Sequence, residues 1–181
     1  MHSFIKEITV YEVEGFRFEQ KKLAEKFLNS IKNKDFSNKQ KKLIYKGIIE
    51  GLEVSFYSNP NFSFEEMEII YFGLCENFDV ELYAKEEFNV NQKLCIYNGL
   101  VDNLDVSIYA KEEFDSNQMN EIYCGMKNGI DVLIYSKPEF NWSQMHIIRI
   151  GLEEGLDVTS YTNSDYKWKE INKIRKAIKK S

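Results

Sequence analysis

An aromatic residue returns every 26 residues along most of this chain, and this period constrains the fold more than any other feature of the sequence. The periodic positions are Phe36, Phe62, Phe88, Phe114 and Phe140, with Tyr166 in the sixth place. The residues behind each aromatic are also alike, as in FNWSQMHIIRIGLEEGLDVTSYTNSD from residue 140 onwards. Self-similarity at a fixed period of this length is typical of a repeat array, in which each unit buries its apolar face against its neighbours.

Each repeat contains the signals that begin an α-helix. A residue that commonly caps a helix follows the periodic aromatic, and Glu or Gln stands three places later, as with Asp115 and Gln118 in the fourth repeat. This spacing is a capping box, in which two side chains satisfy free N–H groups of the first helical turn. Ile122 and Met126 then continue one apolar stripe at i, i+4 spacing, which predicts a long amphipathic helix.

Signals that end this helix recur at the same period. Only Gly or Asn occupies the final position, which is filled by Gly51, Asn77, Asn103, Gly129 and Gly155. These two residue types enter the left-handed conformation at low cost, and an apolar residue follows each, as in a Schellman closure. Another Gly recurs inside the helix, at Gly99 for example, where it costs about 1 kcal/mol relative to Ala. This recurrent cost predicts a close backbone approach between neighbouring repeats.

A shorter element follows each long helix. An acidic residue precedes the pattern Val-x-x-Tyr, as in Asp105, Val106 and Tyr109. Val and Tyr three residues apart share a helical face, which favours a short α- or 3₁₀-helix with an acidic N-cap. A strand is the alternative, because VSIY is a string of good strand formers.

The sequence therefore predicts an all-α protein, an αα-solenoid in which a long helix alternates with a short α- or 3₁₀-helix. Residues 36–165 form five 26-residue repeats, residues 1–35 an N-terminal cap, and residues 166–181 a basic C-terminal capping helix. The N-terminal cap combines an amphipathic helix with a segment around Glu14-Gly15 that admits a small β-hairpin.

One known repeat signature, roughly QMxxIxxGLxxGLDVSxYAxPxF, is matched in register by Gln118-Met119, Ile122, Gly125, Asp131-Val132, Tyr135, Pro138 and Phe140. The unit thus resembles a repeat of uncharacterised proteins of Firmicutes, their phages and integrative elements, over residues 36–165. In architecture alone it is also similar to leucine-rich-variant repeats. Neither resemblance implies a catalytic residue. The mobile-element context implies a role against host defence, which is an analogy and no derivation.

Charge is unevenly distributed along the chain. Residues 46–165 carry seven Lys/Arg and twenty-two Asp/Glu, whereas residues 1–45 carry ten and six, and residues 166–181 carry seven and one. Within the acidic body, a ridge of acidic residues is predicted in the loops between repeats: Glu86, Glu87, Glu112, Glu113, Asp115 and Glu139. Such a line of carboxylates repels nucleic acid and attracts a basic groove, or it only keeps an apolar solenoid in solution.

Six apolar residues occupy repeat positions that are polar in other repeats: Phe64, Phe72, Val90, Leu94, Trp142 and Ile150. Apolar residues at such positions indicate contact with a partner or a second copy. A local adjustment of the core explains them equally well. The recurring tyrosines are interpreted as packing between repeats, and base stacking is the alternative.

The sequence argues against an enzyme. The only histidines are His2 and His146, neither stands at a motif spacing from a nucleophile, and no Gly-rich phosphate loop is present. The three cysteines, Cys75, Cys95 and Cys124, show no C-x-x-C spacing, which indicates a reducing cytoplasm and neither a zinc site nor a disulfide framework. No cofactor or metal is predicted, and no apolar stretch approaches the roughly 20 residues that span a bilayer.

Three functions fit these features. The first is a non-enzymatic inhibitor, encoded by a phage or mobile element, that occupies a basic groove of a host nucleic-acid-handling defence system such as a CRISPR effector. The alternative is a housekeeping scaffold or adaptor that binds a protein or peptide. The weaker alternative is direct nucleic-acid binding through the basic ends, Lys39, Lys41 and Lys42 at one and residues 173–180 at the other, against which the acidic body argues. Homodimerisation through an exposed face or end is also compatible with the sequence.

Overall fold

The structure, a computed structural model, describes residues 19–32 and 34–180. These residues are helical and contain no strand, as the sequence predicts. The hairpin predicted around Glu14-Gly15 lies outside the described residues and stays a prediction. Contacts between backbone segments divide the chain into two compact units, residues 1–86 and residues 87–181.

Seven α-helices lie in the described residues. Helix α1 covers residues 19–30. The helices that begin at the repeat period are α2 (Asn38–Ile49), α3 (Phe64–Cys75), α4 (Val90–Val101), α5 (Ser116–Lys127), α6 (Trp142–Glu153) and α7 (Trp168–Ile178). In the first unit α2 packs against α3, and in the second unit α4 to α7 pack in a row, each against the next. The protein is therefore all-α and solenoid-like, and we call one long helix with its following short segment a rung.

Capping boxes begin helices α2 to α6, as the sequence predicts. At α6 the Asn141 side chain accepts from the Gln144 N–H at 3.1 Å, and the Gln144 side chain accepts from the Asn141 N–H at 2.8 Å. Helix α7 keeps only the second half of this arrangement, because the Lys167 side chain at its N-cap has no acceptor atom. Each such cap stabilises a helix by about 1 kcal/mol, so the boundaries of the rungs are fixed locally.

Left-handed residues end the long helices at the five predicted positions. Asn103 has a φ of 57° and Gly129 a φ of 70°. The N–H of Leu104, the residue after Asn103, donates to the Gly99 carbonyl at 2.9 Å, and the Asn103 N–H donates to the Leu100 carbonyl at 3.0 Å. This pair of bonds is the Schellman closure, so the predicted helix ends are confirmed.

Short 3₁₀-helices follow the long helices in four rungs, at Val54–Phe56, Val80–Leu82, Val106–Ile108 and Val132–Ile134. Asp131 caps the last of them, its carboxylate accepting from the Leu133 N–H at 3.1 Å. The strand alternative is therefore wrong. In the fifth rung the segment is a turn, and the Val158 carbonyl accepts from the Thr162 hydroxyl at 2.8 Å in addition to the Tyr161 and Thr162 N–H groups.

The core contains the recurring aromatic residues. The tyrosines of the short segments are fully buried, and they are Tyr57, Tyr83, Tyr109, Tyr135 and Tyr161. The Tyr135 hydroxyl donates to the Glu121 carbonyl at 3.1 Å, which joins the short helix to the long helix of the same rung. Because these rings have no exposed face, base stacking is excluded for them. Their burial agrees with a packing role, but the hydroxyl contact lies within one rung and not between repeats as predicted.

The recurring glycine inside each long helix faces this tyrosine. A Cβ added at Gly99 would lie 2.0 Å from the Tyr109 hydroxyl and 2.7 Å from the Val106 Cγ1. The predicted backbone approach between neighbouring repeats is therefore wrong, since the nearest atoms belong to side chains of the same rung. Glycine is required because a tyrosine of that rung crosses the helix at this point.

The capping glutamines also link neighbouring rungs, a contact that the sequence does not predict. While its oxygen accepts from the N-cap, the Nε2 of Gln118 donates to the Phe140 carbonyl of the next repeat at 2.6 Å. The same bond joins Gln40 to Phe62 at 2.7 Å in the first unit. Since each carbonyl is buried, this amide removes the cost of leaving it without a donor.

Candidate partner-binding surfaces

Acidic side chains lie in the loops that lead into the long helices of the second unit. We define the acidic loop row as Glu87, Glu112, Glu113, Asp115 and Glu139, all of which are exposed. Packed helices are about 8–10 Å apart, so the row advances by that distance at each step, from α4 to α5 and from α5 to α6. The second unit therefore brings together five of the six residues of the predicted ridge.

Glu86, the sixth ridge residue, belongs to the first unit. Its carboxylate accepts from the Asn59 side chain at 2.6 Å and from the Asn61 side chain at 3.2 Å. Glu86 thus stabilises the loop before α3 in addition to being exposed.

Asp115 has a structural role within the acidic loop row. Its carboxylate accepts from the Asn117 N–H at 2.8 Å and from the Gln118 N–H at 2.9 Å, so it is the N-cap of α5. A negative charge at a helix N-terminus is stabilised by the helix dipole. Glu112, Glu113 and Glu139 have no such role in the described structure and are better candidates for contact with a partner.

A second set of acidic residues directly precedes the short segments in sequence. Asp105, Asp131 and Asp157 are exposed, and each accepts the N–H two residues on. The Thr159 hydroxyl and N–H hold the pKa of Asp157 below its ordinary value, so this cap stays charged. The sequence predicts these residues as caps, and the structure shows that capping leaves their charge at the surface.

Positive charge is sparse but present in the same region. Residues 87–165 carry five Lys/Arg against thirteen Asp/Glu. Two of the five, Lys111 and Lys137, are exposed in the loops that carry the acidic loop row. The surface is therefore predominantly, and not uniformly, negative.

Three of the six predicted apolar contact residues are substantially exposed. The exposed fractions are 48% for Phe72, 43% for Leu94 and 47% for Trp142. The other three are half-buried: Phe64, Val90 and Ile150. Phe72 lies on α3 in the first unit, whereas Leu94 and Trp142 lie on α4 and α6 in the second.

Four further apolar residues of the second unit are exposed, and none of them is among the six predicted contact residues. The exposed fractions are 64% for Leu133, 54% for Val101, 44% for Trp168 and 38% for Tyr166. Trp168 could have been found by aligning the sixth, incomplete repeat with the fifth, because it takes the position of Trp142.

A charged network joins α5 to α6. Arg149 Nε donates to Glu121 at 2.9 Å, and Arg149 Nη1 donates to Glu153 at 2.5 Å. His146 Nδ1 lies 3.2 Å from both Glu121 carboxylate oxygens, so this half-buried histidine belongs to the network. Glu153 also accepts from the Asn128 side chain at 2.8 Å. The cluster holds two rungs together, and its charged side chains already have partners within the protein.

Similar polar contacts recur between other neighbouring rungs. Asp102 accepts from Lys127 and from the Tyr123 hydroxyl, both at 2.7 Å, and these partners hold the pKa of Asp102 below its ordinary value. Glu154 accepts from Lys179 at 2.7 Å and from Arg175 at 2.6 Å. Asp102 and Glu154, the C-caps of α4 and α6, thus pair with cations of the next helix.

Within the described residues, no group of three or more His, Cys, Asp or Glu side chains could hold a metal ion. No helix in that part of the chain is long and apolar enough to cross a membrane. The three cysteines are free thiols, with Cys75 exposed and Cys95 buried.

No protein-family model, curated protein or solved structure matches this chain.

Proposed function

We propose that this chain is a non-enzymatic binding protein whose acidic loop row occupies a basic surface on a partner protein. The observation that supports this most directly is a difference between two sets of carboxylates. Glu121 and Glu153 on the long helices, and Glu154 at the C-cap of α6, are paired with Arg or Lys. In the described structure, no ion pair involves Glu112, Glu113 or Glu139, so their charge is available to a partner.

The framework around these loops favours such a role. Capping boxes and buried aromatics fix the loops at both ends, so little conformational freedom is lost when a partner binds. Regularly spaced carboxylates attract a groove lined with Lys and Arg, which is the surface that many nucleic-acid-handling proteins present. The resemblance to repeats of phages and mobile elements extends the proposal to an inhibitor of a host defence system, such as a CRISPR effector.

The test begins with a tagged pull-down from the native host, with the bound proteins eluted by increasing salt. We expect a nucleic-acid-binding protein to elute with salt and to be displaced by its own DNA or RNA. The variant Glu112→Lys/Glu113→Lys should lose this partner. The control Glu65→Lys/Glu76→Lys makes the same change of charge at exposed residues of the first unit and should keep it. Retention by the Glu112→Lys/Glu113→Lys variant would refute the proposal.

An adaptor that binds through apolar contacts is the second candidate, and Leu94 favours it because 43% of its side chain is exposed. The position of Leu94 is taken by Asn120 in the next repeat, so Leu94→Asn is compatible with the fold. A partner that resists salt and is lost with Leu94→Asn would favour the adaptor over the acidic inhibitor.

A further inference from the structure

The two tryptophans of this chain lie at the same repeat position on neighbouring helices. Trp142 begins α6 and Trp168 begins α7, and these helices pack directly against each other. The exposed fractions are 47% and 44%, and that of Tyr166, just before α7, is 38%. Large aromatic side chains exposed together are unusual on a protein surface and indicate a binding site.

The fold itself does not require tryptophan at this position. The equivalent residues are Asn38 in α2, Phe64 in α3, Val90 in α4 and Ser116 in α5, and all four helices begin with the same capping box. Asn38 and Ser116 show that the local structure does not require an apolar residue here, and Phe64 and Val90 are half-buried whereas both tryptophans are exposed.

Positive charge surrounds the second tryptophan. Residues 167–180 carry seven Lys/Arg and one Glu. Arg175 and Lys179 are paired with Glu154, but the remaining five lysines are exposed. Lys169 Nζ lies 5.6 Å from the centre of the Trp168 ring, and a shallow groove along α7 is lined by Lys169, Asn172, Lys173, Lys176, Ala177 and Lys180.

We propose that Trp142, Trp168 and the lysines of α7 form a binding site for single-stranded nucleic acid. Bases would stack on the two indole rings, and phosphates would contact Lys169, Lys173 and Lys176. Aromatic platforms beside a basic groove are the features by which proteins bind single strands without reading their sequence. An acidic protein would match the lysines but gives no comparable reason for two exposed indoles.

This site uses different residues from the acidic loop row, so it can be tested independently of the proposed function. Residues 87–165 of the same unit are strongly acidic and repel phosphates. Binding is therefore confined to α7 and the start of α6, and it should weaken steeply as salt is raised.

Intrinsic fluorescence provides a direct test, because both tryptophans lie in the proposed site. The full chain is titrated at low salt with an oligothymidylate of about 12 nucleotides, a length within the usual range for one binding module. We expect saturable quenching of tryptophan emission. Inorganic polyphosphate, which has phosphates but no bases, should bind without comparable quenching.

Two sets of variants distinguish the contribution of base stacking to binding from the contribution of charge. Trp142→Ser and Trp168→Ser should each weaken binding of a fluorescein-labelled oligothymidylate about tenfold, as expected for loss of one stacked base. Lys169→Glu/Lys173→Glu should abolish binding. The control Lys21→Glu/Lys22→Glu makes the same change of charge at exposed residues of α1 in the first unit and should bind normally. Circular dichroism confirms that each variant is folded, and Ser is already present at the equivalent position in α5.

Four results would overturn the site. The first is the absence of quenching and of binding at low salt. The second is unchanged affinity in both tryptophan variants. The third is an equal loss of affinity in the control variant, which would show attraction to total charge alone. The fourth is self-association of the chain that disappears in the tryptophan variants while oligothymidylate has no effect, which would identify a second copy as the occupant.

Discussion

The hydroxyl of Tyr109 donates to the carbonyl oxygen of Cys95 at 3.2 Å, and the side chain that makes this bond lies against Gly99, one helical turn further on. Equivalent bonds occur in the first unit, from Tyr57 to the Leu43 carbonyl at 3.3 Å. The tyrosine closes each rung on itself, whereas the capping glutamine ties each rung to the next. Stability within a rung and stability between rungs therefore depend on different side chains.

Gly99→Ala should destabilise the protein although alanine is the better helix former. Alanine gains up to about 1 kcal/mol in helix propensity. Its Cβ would, however, lie 2.0 Å from the Tyr109 hydroxyl, and overpacking of this kind typically costs about 1–3 kcal/mol. We expect a net loss of about 1–2 kcal/mol in the free energy of unfolding, measured by urea denaturation.

The double variant Gly99→Ala/Tyr109→Phe tests the cause. Removing the hydroxyl leaves the ring carbon as the nearest atom of residue 109, at 3.2 Å from the added Cβ. The double variant should therefore be more stable than the sum of the two single changes predicts. Strict additivity would mean that the clash with the hydroxyl is not the reason for the glycine.

Gln118→Glu should weaken the contact between the fourth and fifth rungs. A carboxylate retains the acceptor for the N-cap but has no N–H for the Phe140 carbonyl, which Gln118 reaches at 2.6 Å. A buried acceptor left without its donor costs about 1–3 kcal/mol. Thermal melting of Asn120→Asp, which adds the same charge at an exposed position of α5, provides the control and should be close to wild type.

Replacing Glu121 or Arg149 alone should destabilise the protein, whereas replacing both together should not. The residues at the equivalent positions of adjacent repeats are Ile147 and Tyr123, so Glu121→Ile/Arg149→Tyr restores the common pattern. The side chains of Glu121 and Arg149 are only 10% and 13% exposed, and each single change removes one partner of a largely buried charge. We expect each single variant to lose about 2 kcal/mol and the double variant to lose little. Equal stability of all three variants, in chemical denaturation, would show that the pair is unimportant.

The three thiols should react at very different rates. Burial raises the pKa of the Cys95 thiol to about 12, so almost none of it is thiolate at neutral pH. Iodoacetamide near pH 8 should modify the exposed Cys75 first and Cys95 only on unfolding, as mapped by mass spectrometry. Modification of all three in denaturant is the control. Rapid labelling of Cys95 in the folded protein would contradict its burial.

The raised pKa of Cys95 also determines the direction in which the stability of the protein changes with pH. The folded pKa of Cys95 lies above the ordinary value of 9.0, so its contribution to stability is full below that pH. Stability is lost as pH rises from there towards 12. The buried tyrosines Tyr57, Tyr109 and Tyr135 act in the same direction, because burial also raises their pKa values. Denaturation midpoints should therefore fall on the alkaline side.

Helix boundaries could be predicted because their signals are local. A capping box spans four residues and a Schellman closure six, so one repeat contains all the atoms involved. Asn103 and Asp115 could thus be assigned correctly from residue type and spacing alone. The short 3₁₀-helices were less certain, since strand propensity competed with the acidic cap and only tertiary packing decided between them.

The contacts that the sequence did not reveal join residues far apart along the chain. Gln118 and Phe140 are separated by 22 residues, and Arg149 and Glu121 by 28. Which carbonyl or carboxylate a side chain reaches depends on the rotation between rungs, which no spacing encodes. For the acidic loop row, periodicity predicted which residues would be exposed, but exposure does not identify a partner.

The glutamine link between rungs makes the number of repeats adjustable. The loops that lead into α5, α6 and α7 each offer a carbonyl to the glutamine of the rung before, so a whole 26-residue unit of this part of the chain can be duplicated or deleted in frame without creating a new kind of junction. Each such event would move the acidic loop row relative to α7 by one helix diameter, about 8–10 Å. The row of long helices in the second unit can therefore change in length only by whole repeats, and unequal recombination between repeats could match that length to the spacing of sites on a partner.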